Sequence, residues 1–252
     1  MNSAFGMILK NEARLSTRRA TGLVANISVP LVLLLIFGLV PAFRRASSAF
    51  GGLSWLDVYV PIIVVLTLTM VATISLPITL ISYRERGILR RLSVTPVPPS
   101  WLLAAQAIVE LCNALVAFII VITLSVITLS VTAFGVPAPK SPAGLVLSFL
   151  LAAAGLYAIG LTLAAVIPTQ AAASVYGRLV FFPLMFFAGV WLPRDAMPHV
   201  LLEISNYTPV GPAVETIEDS LLRGFPPVSA LLVLAGYAVV FGYLARRLFR
   251  WQ

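Results

Sequence analysis

Long uncharged runs dominate the chain. No charged side chain occurs between residues 20 and 43, or between 58 and 83. From 92 to 139 the only charge is Glu110, and 141–177 is free of charge throughout. Arg178 alone separates that run from 179–193, and 224–245 is the last such stretch. A helix that crosses the hydrocarbon of a bilayer needs about 20 mostly apolar residues. The pattern therefore predicts six membrane helices, at about 22–40, 58–82, 101–132, 143–167, 172–192 and 228–244, with a turn at Pro168-Thr169-Gln170 dividing the fourth from the fifth. Val40-Pro41-Ala42 has the small-x-small look of a secretory cleavage site. The apolar run is too long for a signal peptide and its polar leader extends to about residue 21, so an uncleaved span is expected.

Composition narrows the class further. Of 252 residues, 60% are hydrophobic and 10% charged, with a mean hydropathy of +1.02. A soluble domain carries about 25% charged residues. An all-α polytopic membrane protein, one unit over residues 1–252, is the expected class. The net charge of +8 would suggest nucleic acid if it were spread evenly, but it is not. With the N-terminus placed in the cytoplasm, Lys10, Arg14, Arg18, Arg19, Arg84, Arg86, Arg90, Arg91, Arg178, Arg246, Arg247 and Arg250 all fall on that side. Arg44, Arg45, Lys140, Arg194 and Arg223 fall outside, together with six of the nine acids. This asymmetry predicts both termini in the cytoplasm and no nucleic-acid partner, and the use of only two lysines, Lys10 and Lys140, among 17 basic residues hints at a bacterial inner or plasma membrane.

The connecting segments carry patterns of their own. In the leader 1–21, Phe5, Ile8, Leu9 and Leu15 alternate with Lys10, Arg14, Arg18 and Arg19, as in a helix lying at a membrane interface against anionic lipid headgroups. In the loop 83–100, Ile88, Leu89 and Leu92 share a helical face and Arg84, Arg86, Arg90 and Arg91 occupy the others. Pro96, Pro98 and Pro99 then stop that helix before the third span. A short amphipathic helix fixed between two spans fits a groove on another protein. The segment 194–223 is too polar to span and too apolar for a free loop. Met197, Val200, Leu201, Leu202 and Ile204 precede Asn206-Tyr207-Thr208-Pro209, and a second helix starting near Pro212 sets Val214, Ile217 and Leu221 opposite Glu215, Glu218 and Asp219. Two half-helices dipping into the outer leaflet satisfy it.

Several chemistries are missing. There is no Gly-x-x-x-x-Gly-Lys-Ser/Thr phosphate loop, so the chain cannot hydrolyse ATP by that mechanism. His199 is the single histidine and Cys112 the single cysteine, which leaves no multi-His zinc site, cysteine cluster, internal disulfide or intramembrane Ser/His dyad. Paired carboxylates of a proton-driven pump are absent too. The one polar stripe within a span is Gln106, Glu110 and Asn113, spaced i−4, i, i+3 on the third helix. It should face protein or a wet cavity, as a substrate or gating contact or as an inter-helix hydrogen-bond cluster.

Taken in order along the chain, these residues resemble the ABC-2 type permeases, the membrane subunits of ATP-binding-cassette exporters. The first match is the basic leader running into a span with Pro30 and Phe37-Gly38. The second is the family's Arg-Glu-x-Gly-x-Leu-x-x-Leu-x-x-Thr-Pro pattern, present as Arg84-Glu85-Arg86-Gly87-Ile88-Leu89-Arg90-Arg91-Leu92-Ser93-Val94-Thr95-Pro96. Phe182-Pro183 with Ala188-Gly189-Val190-Trp191-Leu192-Pro193 and Met197-Pro198 is the third, and Asn206-Tyr207-Thr208-Pro209 leading to Glu215 is the fourth. Ile88 stands where the family often has Thr, and the family's Asn-Pro pair is separated here. Within the family the chain is most similar to the short drug-export branch, such as the daunorubicin exporter permeases.

The resemblance implies a permease paired with a second copy or a sister permease and with two copies of a cytoplasmic ABC ATPase. ATP and Mg²⁺ would be used by that partner, and no cofactor by this chain. It implies that Arg84–Leu92 contacts the ATPase and that the leader helix braces it. Pro193, Asn206, Tyr207, Pro209 and Glu215 would belong to the outer gate. The expected function is ATP-driven export of a hydrophobic or amphipathic compound, an antibiotic or drug, with a lipid or lipid-linked glycan as the alternative cargo. A secondary carrier or channel without an ATPase is the competing class, disfavoured by the lack of paired ionisable residues and by the amphipathic loop.

Overall fold

The computed structural model describes residues 2–18, 20–45, 52–88, 99–130 and 139–248. Among the described residues every regular element is helical. In chain order these are α1 (Asn2–Arg18), α2 (Ala20–Leu39), the single turn α3 (Pro41–Arg44), α4 (Trp55–Glu85), α5 (Pro99–Ser130), α6 (Pro142–Val166), α7 (Gln170–Phe187), α8 (His199–Tyr207), α9 (Gly211–Leu222) and α10 (Val228–Leu248). Four helices, α4, α6, α7 and α10, are long and apolar enough to cross a membrane, and shorter apolar helical stretches lie at Ser28–Leu39 in α2 and Ala104–Ile120 in α5.

α4 is the centre of the bundle. Leu56, Val58 and every residue from Val60 to Thr69 are buried, with α2, α5, α6, α7 and α9 all packed on it. It starts with a reciprocal cap: the Asp57 amide donates to Ser54 Oγ at 3.2 Å, and the Ser54 amide to Asp57 Oδ2 at 2.9 Å. Halfway along, the helix widens into a π-turn over Val71–Ser75. Pro77 accounts for it. Having no amide hydrogen, proline cannot bond the Thr73 carbonyl one turn back, and its ring crowds that oxygen. The Leu76 amide instead reaches the carbonyl of Val71, five residues back.

The widened turn is where the neighbouring helices come closest. A β-carbon at Gly160 of α6 would overlap the Ala72 carbonyl, and one at Gly177 of α7 would overlap that of Thr73. Two glycines thus let two helix backbones rest on the same turn of α4. A third, Gly155, brings α6 against α10, where an added β-carbon would lie 3.2 Å from the Leu234 carbonyl. Thr162 Oγ1 reinforces that pair by donating to the Phe241 carbonyl at 3.0 Å.

α7 ends at Phe187, five residues before the apolar run that predicts 172–192. Gly189 adopts φ +93° there, a left-handed conformation that closes the helix, and Pro193 then starts the 3₁₀ turn Arg194–Ala196. Outward, α7 and α10 are bare: Val175, Tyr176, Leu179 and Phe182 on one, Leu232, Val239, Val240 and Tyr243 on the other, are exposed.

Candidate functional site

At the end of the bundle that holds α1, three helices are tied together around residues 83–85. α4 spans 31 residues, about 46 Å at 1.5 Å per residue, so it overruns a hydrocarbon core of roughly 30 Å. Its last turn carries the ties. The Tyr83 hydroxyl donates to Glu12 Oε2 of α1 at 2.8 Å, with both side chains buried. Arg84 Nη2 donates to the carbonyls of Ile167 and, at 2.9 Å, Pro168 in the turn between α6 and α7. Glu85 accepts from both nitrogens of Gln170, the backbone amide at 2.9 Å and the side-chain amide. Gln170 is the first residue of α7, so this carboxylate sits on the positive end of that helix. The backbone hydrogen bond from Gln170, then its side-chain one, hold the Glu85 carboxyl below its ordinary range.

Immediately beyond, Arg86 caps α4 and Gly87 turns the chain with φ +68°. Arg86 and Ile88 are exposed. Leu89, Arg90, Arg91 and Leu92, the rest of the expected contact segment, lie outside the described residues, as do Pro96 and Pro98. Pro99 is the first residue of α5.

α1 lies along the first turns of α5. Phe5 meets Trp101 edge to face at 5.8 Å between ring centres, and Asn113 Nδ2 donates to Ser16 Oγ at 2.9 Å. Half-buried Phe5, Ile8 and Leu9 and buried Glu12 form the inward side of α1, while Lys10, Arg14 and Leu15 are exposed. Arg18 ends α1, and Arg19 lies outside the described residues. The polar stripe faces this packing. Gln106 and Glu110 are buried, with Gln106 Nε2 donating to Glu110 Oε1 at 3.2 Å, and Asn113 bridges Glu110 Oε2 at 3.5 Å to α1. Tyr157 of α6 adds a hydroxyl bond to the Glu110 carbonyl at 3.3 Å.

The opposite end gathers 193–223 around Arg194, whose side chain is 11% exposed. Its Nη1 donates to Ser205 Oγ at 2.5 Å, and its Nη2 to Asn206 Oδ1 at 2.7 Å and Glu215 Oε2 at 3.3 Å. Ser205 Oγ in turn donates to the Phe187 carbonyl at 2.7 Å, anchoring α8 to the end of α7. Gly211 must be glycine, because a β-carbon would overlap the Ser205 carbonyl. Pro193 and Pro209 are buried, whereas the Tyr207 ring is exposed and its carbonyl accepts from Tyr237 of α10 at 2.7 Å. Asn206 and Glu215, which one sequence motif already groups, thus meet on one guanidinium. Arg194 is the residue that sequence reasoning counted only as an outer charge. Its position directly after Pro193 was the available signal.

Among the described residues no group of His, Cys, Asp and Glu side chains could hold a metal ion. Apolar helices are joined by polar ties at both ends of the bundle. No curated protein matches the sequence. A family model described as ABC-2 type transporter matches residues 3–222, which includes α1, the 83–88 junction and the Arg194 cluster. The chain belongs to the ABC-2 type transporter family.

Proposed function

We propose that this chain forms the transmembrane pathway for ATP-driven outward movement of a hydrophobic or amphipathic compound, an antibiotic or drug in the first instance. Membership of the family makes it the membrane permease component of an ABC transporter, a multi-pass membrane protein partnered by an ABC ATPase subunit and not itself catalytic. In the proposed assembly two ATPase copies serve two permease halves, and ATP and Mg²⁺ are bound by the ATPase. Both termini and the 83–88 junction face the cytoplasm, and α8 and α9 face outward as half-helices of the outer gate. α2, α4, α5, α6, α7 and α10 are the six spans, and the bare faces of α7 and α10 meet lipid or a second permease copy.

One observation carries the coupling role. The root of the loop that begins at Gly87 is bonded to α1 through Tyr83–Glu12 and to the α6–α7 turn through Arg84 and Glu85. A push on the segment 84–92 therefore reaches several membrane helices at once. The lipid-facing basic residues Lys10 and Arg14 would hold α1 at the headgroups as a brace. A carrier working without an ATPase gains no support from this junction. Purification of the native complex from its own membrane tests the proposal: an ABC ATPase should co-purify in equal amount. A chain that transports alone in liposomes, with no nucleotide, would sink it.

A further inference from the structure

We infer that the outer segment is divided along the α6–α7 seam and that Arg194 latches the two halves through Glu215. The inference rests on the outer-gate reading above and adds the residue that closes the gate.

Hydrogen bonds sort the distal elements into two blocks. α9 belongs to α6: Ser148 Oγ donates to the Thr216 carbonyl at 3.2 Å, and the Ser141 and Lys140 amides donate to the carbonyls of Ser220 and Leu221 at 3.0 and 3.3 Å. α10 joins them through Gly155 and Thr162. α8 belongs to α7, through Ser205 Oγ and the Phe187 carbonyl. At the opposite end, beside the turn that joins α6 to α7, an apolar cleft of about 430 Å³ lined by Leu163, Val166, Tyr176 and Val180 parts the same two helices.

Among the described residues, the polar bonds that cross the division at the distal end include Arg194–Glu215 and Tyr237–Tyr207, with the Gly211 amide donating to Thr208 Oγ1 at 3.2 Å inside the short link from α8 to α9. Arg194 is already committed to its own block by Ser205 and Asn206, so Glu215 is the contact that can be released without stranding the guanidinium. The Glu215 side chain is 34% exposed, so it can pass to water when it lets go. A charged pair at the edge of a water-accessible face is worth little enough to break and is directional enough to restore one closed geometry.

The test uses the whole chain in lipid nanodiscs without any ATPase. Exposed Cys112 is replaced by Ser, and spin labels are placed at the exposed positions Val200 and Phe225, one beside each block. The parent should give one narrow distance. Arg194→Gln should add a longer component at least threefold above the parent's, Arg194→Lys should remove much of it, and Glu203→Gln, on the exposed face of α8, should change nothing. Should Arg194→Gln fail to insert, Glu215→Gln carries the same expectation. In the complex with ATPase, trapped with a non-hydrolysable ATP analogue, the parent itself should show the longer distance, which a purely structural pin would not. Unchanged distances in Arg194→Gln or Glu215→Gln, or a short distance in a trapped and export-competent complex, would overturn the latch. These results stand apart from whether an ATPase co-purifies.

Discussion

Single side chains at the junction make the sharpest claims. Tyr83 gives a hydroxyl to a buried carboxylate, so Tyr83→Phe removes one donor to Glu12. A bond of this kind contributes about 1–3 kcal/mol, and unfolding of the purified chain in detergent should show a loss in that range. Glu85 is different because it is exposed. Its carboxyl titrates below the ordinary 4.5 in the folded chain, so its contribution is present in full above that value and fades as pH falls through the lowered one. The junction should therefore be intact at neutral pH and loosen only in acid, while Glu85→Gln should lose that acid sensitivity, read by hydrogen exchange at the start of α7. Glu110 sits among Gln106, Asn113 and Ser16. Glu110→Gln keeps most of those bonds, so a stability change with unaltered export would assign the stripe to structure, and lost export with normal insertion would assign it to the pathway.

At the scale of elements, the sequence shows where helices lie better than how they touch. Both ends of α4 and α6 and the start of α10 fall within a few residues of the apolar runs, because burial in lipid or protein demands long uncharged stretches. α7 is the exception. Ala188, Gly189 and Val190 are apolar, so hydropathy runs on through them, but the left-handed Gly189 stops the helix. The π-turn is equally silent in hydropathy, and only Pro77, read as a missing donor for Thr73, points to it. Its consequence is testable. Gly160→Ala and Gly177→Ala place a methyl group against backbone that cannot move aside, and each should cost about 1–3 kcal/mol or block folding. Gly236→Ala, in α10 with open space around it, should be neutral or slightly stabilising in the same unfolding assay. Equal behaviour of the three would mean that the helix backbones do not approach at Gly160 and Gly177.

On the whole-molecule scale, the positive charges that composition reports as one number resolve into places. Those of α1 and the 84–86 corner gather at the end where α1, α4, α5 and the α6–α7 turn are joined, and Arg194 is drawn into the opposite end. Sequence alone could separate the two ends, since the basic loops alternate with the spans. Partners of Arg194 and Glu85 were not legible, because each bond joins residues whose proximity only the packed bundle creates. What the bundle then offers is a lever. In the proposed mechanism the ties at 83–85 take a force in, the glycine contacts on the π-turn of α4 act as the joint, and the far end carries the proposed gate. We propose that the 84–92 segment transmits ATP-driven motion to this lever. Export and ATP hydrolysis measured together in proteoliposomes holding the complex of Leu89→Asp test it most directly. Hydrolysis should continue while export falls at least tenfold, with the subunit inserted normally. Export at the parent rate in that complex would contradict it.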